Sequence, residues 1–161
     1  MLQPFGVTPT AWLGNPKTAI YVLCLLPMWQ VGSSMVTFLA ALKQVPEYLY
    51  ESAKIDGAGP IRRFFKITLP MISPLILFNL IMQSINAFQE FSSAYVVTNG
   101  GPVKTTYFAA IFIYEEAFHL LKFGFASALS WVLFLVIMAF TLLIFATSAK
   151  WVFYEDGGSV I

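Results

Sequence analysis

Of the 161 residues, 58% are hydrophobic and only 11% are charged, whereas an ordinary soluble domain carries roughly a quarter charged residues. That balance excludes a conventional soluble fold, which would leave much apolar surface against water. The net charge of +1 argues against a nucleic-acid partner, which usually leaves a strongly basic face. The charges are also clustered: residues 18–42, 67–89 and 123–149 carry none. Each stretch exceeds the ~20 residues that cross a hydrocarbon core of ~30 Å, so the reading is an all-α integral membrane protein with three transmembrane helices. Three fully buried helices of that length in one small soluble chain is the rejected alternative.

In chain order, residues 1–17 are rich in Pro, Gly and Thr and read as a loop, with Trp12 at a membrane interface. The start of the chain lacks the basic residues and apolar run of a signal peptide. The first span, 18–42, holds Pro27 and Gly32, both tolerated in membrane helices where neighbours satisfy the freed backbone groups. It also holds the single cysteine, Cys24, which cannot form an internal disulfide and reads as a small core residue. The loop 43–66 carries Lys43, Lys54, Arg62, Arg63 and Lys66. The second span, 67–89, has Pro70 and Pro74 near its entrance. Residues 90–122 are mixed, with a turn at Asn99-Gly100-Gly101-Pro102 and an uncharged run, Thr105 to Tyr114, too short to cross and read as an interfacial or re-entrant helix. The third span, 123–149, leads to Lys150, Trp151 and Tyr154 as an interfacial belt and to a polar tail, 150–161.

Six Lys and Arg lie in the central loop and the tail, against Lys17, Lys104 and Lys122 on the other side. This asymmetry predicts that the loop and the C-terminus are cytoplasmic. The N-terminal loop then lies outside, an arrangement that predicts a preceding N-terminal half.

The central loop has its own design. Pro46 suits a first helical turn, and Glu47 places negative charge at the positive end of the helix dipole. Glu51 and Lys54, three apart, share a face. Gly57 is suited to the left-handed conformation that ends a helix, and Pro60 can start a second one over Ile61 to Lys66. The prediction is a helix–turn–helix on the cytoplasmic membrane face. On these residues alone it is either a docking element or a solvated loop whose basic residues set topology.

Glu51-Ser52-Ala53, then Gly57, then Ile67-Thr68-Leu69-Pro70 resembles the EAA loop of binding-protein-dependent ABC importer permeases. The wider run from Pro46 to Pro60 is similar to the carbohydrate branch, in particular to subunits related to the larger maltose-importer permease. Ser52 replaces the middle alanine, a small-for-small change. Trp12 to Pro16, Asn99 to Pro102, and Tyr114, Ala117, Phe118, Gly124, Ala126, Ser127 and Ala128 extend the likeness to nearly the whole chain, as the C-terminal half of a larger permease bundle. The resemblance implies a coupling helix seated on a cytoplasmic ABC ATPase dimer, with Glu51, Ala53, Asp56 and Gly57 carrying the coupling. It also implies a second permease subunit, an extracytoplasmic sugar-binding protein, contact with membrane lipid, and a place in the bacterial inner membrane. ATP would be bound by the partner: this chain has no phosphate-binding glycine loop, needs no cofactor of its own and is not an enzyme.

Asn79, Gln83, Asn86 and Glu90 follow steps of four, three and four, which predicts one polar helical face in the second span. Such residues tend to face a wet cavity, and the resemblance makes Gln83, Asn86 and Glu90 substrate-pathway candidates, with Phe88 or Phe91 able to stack on a sugar ring. Gln30 and Ser34 form a weaker stripe in the first span. The alternative for both stripes is hydrogen bonding or close packing between helices. Glu115, Glu116 and His119 have spacing that could hold a metal, but with one histidine in the chain a binding-protein contact or a solvated surface fits better. Arg62, Arg63 and Lys66 suit anionic headgroups or simple topology anchoring. Two other function classes stand beside the importer of a sugar or polyol. One is an intramembrane enzyme, for which no nucleophile–base pair is visible; the other is a permease remnant serving as a scaffold.

Overall fold

The computed structural model describes residues 11–153, apart from the side chain of Gln30. Tyr154, most of the polar tail and the first part of the N-terminal loop lie outside the described residues. Among the described residues every regular element is helical.

The helix α1 (Pro16–Leu25) begins where its sequence provides a cap: Pro16 sits in the first turn, and the Asn15 side chain accepts the Lys17 N–H at 3.0 Å. Pro27 has no N–H to give the Leu23 carbonyl, and the chain tightens into a 3₁₀ turn, Leu26–Gln30, before α2 (Val31–Gln44). A single Pro thus makes residues 18–42 a broken helix.

The predicted helix–turn–helix forms as α3 (Glu47–Ile55) and α4 (Pro60–Arg63). Its turn is a Schellman closure. The Ala58 N–H reaches the Ala53 carbonyl at 2.9 Å, the Gly57 N–H reaches Lys54 at 3.1 Å, and Gly57 has φ +73°. After α4 the backbone widens into a π turn, Phe64–Thr68, because Pro70 cannot donate to the Lys66 carbonyl. A short α5 (Leu69–Met71) follows, and the helical path turns by 63° at the break before α6 (Ser73–Phe88). Pro74 cannot give the Pro70 carbonyl its usual i→i−4 hydrogen bond; that carbonyl accepts a backbone N–H at the end of α5 and the Ser73 hydroxyl at 2.6 Å.

Downstream come α7 (Ser92–Thr98), α8 (Ala109–Tyr114), a π turn over Glu115–His119, and α9 (Phe123–Ser148). The short helix expected from Thr105 starts only at Ala109. Upstream of it, the buried Thr106 hydroxyl bonds Thr98 Oγ1 at 2.6 Å and the Gly101 carbonyl at 2.7 Å, while Val103 and Lys104 take left-handed conformations. Those contacts hold the segment out of a helix. Among the described residues α9 alone is long and apolar enough to cross a membrane unbroken; its 26 residues extend about 39 Å at ~1.5 Å per residue. Pro16–Trp29 with Val31–Gln44, and Pro60–Met71 with Ser73–Thr98, meet the same test only when each pair is taken as one broken span.

The chain divides into two compact units. One combines the residues up to Gln30 with Phe88–Phe134; the other combines Val31–Ala87 with the residues from Leu135 onward. The first has a core of Leu23, Ala94 and Ile111, against which Phe91, Tyr95, Tyr107 and Phe108 pack. In the second, the buried residues include Ile72, Leu77 and Ile137 and two hydroxyls, Thr68 and Ser73.

Candidate functional site

The helix α3 has two faces, and its sequence sets them at helical spacing. Leu49, Tyr50 and Ala53 are half-buried on the inner side. Tyr48, Glu51, Ser52 and Ile55 are exposed, Ile55 to 87%. An exposed acid between an aromatic and a branched aliphatic makes a compact ridge that offers both apolar surface and a directional carboxylate. Tyr48 and Ile55 were missed as candidates in the sequence, although their positions at i−3 and i+4 from Glu51 could have found them. Asp56 and Gly57 are exposed at the turn, whereas Ala53 lies half-buried and lines a cavity of about 240 Å³ with Asp56, Arg62, Arg63 and Lys66. Glu51 and Lys54, although they share a helix, form no ion pair among the described residues.

The polar stripe needs a correction. Asn79, Gln83 and Asn86 do share α6, but the helix ends at Phe88 and Glu90 lies beyond it. The reason is local: the Glu90 carboxylate accepts the Ser93 N–H at 2.9 Å and so satisfies a first-turn donor of α7. Glu90 is therefore a half-buried cap, not a fourth member of the face. Gln83 and Asn86 are exposed, with their amides open. Asn79 is half-buried and donates to the Leu75 carbonyl at 3.0 Å. Ser34 is half-buried on α2, and the side chain of Gln30 lies outside the described residues.

Phe91, named above as a possible stacking surface for a sugar, is instead engaged inside the first unit. Its ring stacks on Tyr95 at 5.0 Å and tilts against Tyr114 at 5.1 Å. Tyr114 continues the cluster to Phe118 at 5.1 Å and His119 at 5.7 Å. Beside it, the Tyr107 hydroxyl donates to Glu115 Oε2, and the Lys104 ammonium sits 5.0 Å above the Tyr107 ring. Burial first, then the Glu115 hydrogen bond and the Glu115 and Glu116 charges, pushes the Tyr107 phenol up to about 12. Glu116 pairs with Lys122 at 3.3 Å. Glu115, Glu116 and His119 thus each have their own partner, and among the described residues no three metal-ligating side chains come together. Tyr95 and Tyr107 escaped sequence reasoning, and Tyr114 entered only through the family likeness, because 95, 107 and 114 follow no single period.

An all-helical chain with an unbroken apolar helix of membrane-crossing length and a short exposed acidic helix defines an integral membrane protein. Its family can be stated: the chain belongs to the binding-protein-dependent transport system inner membrane components, matching over residues 4–153. It is similar to the probable ABC transporter permease protein YesP of Bacillus subtilis (strain 168), at 45% identity over 147 residues, covering 90% of this chain and 48% of that protein. It is also similar to the sulfoquinovosyl glycerol transport system permease protein SmoG of Agrobacterium fabrum, at 39% identity, covering 88% of this chain and 46% of that protein. The trehalose/maltose transport system permease protein MalF of Thermococcus litoralis is 35% identical over 88% of this chain and 48% of its own length. The chain thus spans about half the length of the curated relatives it matches. Its fold matches a chain in the crystal structure of a bacterial ABC transporter involved in the import of the acidic polysaccharide alginate, with a TM-score of 0.74 at 22% identity, over 93% of this chain and 53% of that one.

Proposed function

We propose that this chain is part of the membrane-spanning permease of a bacterial ATP-driven importer, moving a sugar or related polyol across the inner membrane. The observation that carries the reading is the closed helix–turn–helix at Gly57, with Glu51 on its exposed ridge between Tyr48 and Ile55. In this reading the ridge seats in a cytoplasmic ABC ATPase dimer, and Ala53, Asp56 and Gly57 keep the loop in shape. ATP is bound there and not on this chain, which has no catalytic role and needs no cofactor. A second permease subunit and an extracytoplasmic sugar-binding protein complete the assembly, with lipid around α9. The central loop and the C-terminus are cytoplasmic, as the basic residues of the loop and Lys150 favour. Residues 18–42, 67–89 and 123–149 supply three crossings, two of them broken.

Mechanically, ATP binding closes the ATPase pair, the docked ridge moves with it, and the spans convert that movement into alternating access. Gln83 and Asn86, exposed and amide-bearing, are the substrate-pathway residues on α6, because amides both donate to and accept from sugar hydroxyls. Glu90 acts through the capping of α7, and Ser34 and Gln30 are weaker members of the pathway. The names of the relatives support the substrate class: trehalose/maltose and sulfoquinovosyl glycerol are both polyhydroxylated.

The test is uptake by a reconstituted importer containing this chain, its ATPase and its binding protein, offered a panel of labelled sugars and polyols. ATP-dependent uptake of at least one compound is expected, with Asn86→Leu or Gln83→Leu raising KM about tenfold, as loss of one to two neutral hydrogen bonds would. No uptake of any compound, with the ATPase bound and active, would remove the proposal.

A further inference from the structure

The movement of a docked helix is useful only if it reaches the span. Along the backbone, the route from α3 to α6 is poorly suited to carrying force. It passes the Gly57 turn, the π turn at Phe64–Thr68, and the 63° break before Ser73. Pro70 and Pro74 each delete a helical hydrogen bond along it. A side-chain connection bypasses most of this path. The Tyr50 hydroxyl, on the inner face of α3, lies 2.8 Å from Thr68 Oγ1, eighteen residues further on. Thr68 closes the π turn and is only 7% exposed, and Tyr50 is half-buried, so water competes weakly for the bond. Beyond the break a second hydroxyl does a similar job: Ser73 Oγ donates to the Pro70 carbonyl at 2.6 Å and accepts the Phe153 N–H at 2.9 Å. The soft part of the chain is thus fastened on both sides of the break.

We propose that Tyr50 and Thr68 form the tie that transmits movement of the coupling helix to the base of the second span, and that they are positioning residues for coupling. The inference rests on the importer reading above. Tyr50 faces away from the exposed ridge of Tyr48, Glu51 and Ile55, so the tie is separable from ATPase docking. Losing the hydroxyl pair leaves the ATPase bound and hydrolysing, while less of each cycle reaches the span.

The experiment measures substrate molecules imported per ATP hydrolysed in proteoliposomes holding the complete importer. The variants are Tyr50→Phe, Thr68→Val, the double variant and Thr68→Ser. Tyr50→Phe and Thr68→Val are expected to lower the ratio about threefold to tenfold, the span of an ordinary neutral hydrogen bond, with the ATPase still co-purifying. The double variant should fall no further than either single one, because the second change removes a bond already lost. Thr68→Ser, which keeps the hydroxyl, should keep the wild-type ratio. Single variants with a wild-type ratio would overturn the tie, as would effects that multiply in the double variant. So would a lower melting temperature at an unchanged ratio, the mark of a purely structural bond. Failure of the importer reading is distinct: the wild-type protein itself would then import nothing.

Discussion

The two units of the chain are held by different physics. The first is closed by close-packed carbon and rings: Ile111 and Thr106 are its largest fully buried side chains, and Phe91, Tyr95, Tyr114 and Phe118 contact one another in sequence. The second has fewer deeply buried groups and is interrupted by Pro70, Pro74 and the π turn, with a Tyr50–Thr68 hydroxyl pair across the turn and the Ser73 hydroxyl bonded to the Pro70 carbonyl. Dense packing resists deformation, whereas helices broken at prolines can pivot if their ends are tied. The contrast sets close packing in one unit against broken, hydroxyl-tied helices in the other, and it can be attacked with matched substitutions.

Gly57 and Gly100, the two positive-φ glycines among the described residues, should differ most sharply. Gly100→Ala would bring a Cβ within 2.7 Å of Tyr107 Cδ2 at φ +75°, adding overlap to backbone strain. A loss of about 2–5 kcal/mol is expected in thermal unfolding in detergent. Gly57→Ala has the same strain at φ +73° but open space around the Cβ, so about 1 kcal/mol is expected. Equal losses at the two positions would erase the distinction between a packed unit and an open one.

The isoleucines Ile111 and Ile55 form a second pair. Ile111 is fully buried, and Ile111→Ala should cost about 2–5 kcal/mol by leaving a cavity. Ile55 is 87% exposed, so Ile55→Ala should change stability by less than ~0.5 kcal/mol while weakening retention of the ATPase. A destabilised Ile55→Ala protein would mean that the ridge belongs to the fold and not to a partner.

A smaller effect tests the polar edge of the first unit. Absorbance titration should find the Tyr107 phenol deprotonating near 12, and Glu115→Gln should lower that value toward 10 by removing an ionic acceptor and its charge. Because the folded value is raised, the stabilisation is fully present below pH 10 and is lost as pH rises through about 12. An unchanged value in Glu115→Gln would leave burial and the Glu116 charge as the causes.

Much of this was legible in the sequence. The uncharged stretch 123–149 revealed α9, and Gly57 before Pro60 revealed the turn between two short helices, because helix signals act over three or four residues. The boundaries of the broken spans were less legible, since Pro27 and Pro70 could either be tolerated or break the helix. Glu90 was wrongly placed on the face of α6 because helical spacing was carried two residues past its end. The Tyr107–Glu115 contact was not visible at all, as it depends on how left-handed Val103 and Lys104 turn the loop. Tyr50 and Thr68 were within the quoted motif, but only the fold brings positions eighteen residues apart into contact.

The most direct test of this division of labour is co-purification of the ATPase with a permease carrying this chain, comparing wild type, Glu51→Ala and Tyr107→Phe. Wild type and Tyr107→Phe should retain the ATPase, the latter with a lower melting temperature, whereas Glu51→Ala should lose it at a near-wild-type melting temperature. Full retention by Glu51→Ala, or parallel loss of the ATPase in Tyr107→Phe, would contradict the assignment of docking to the α3 ridge and of stability to the packed unit.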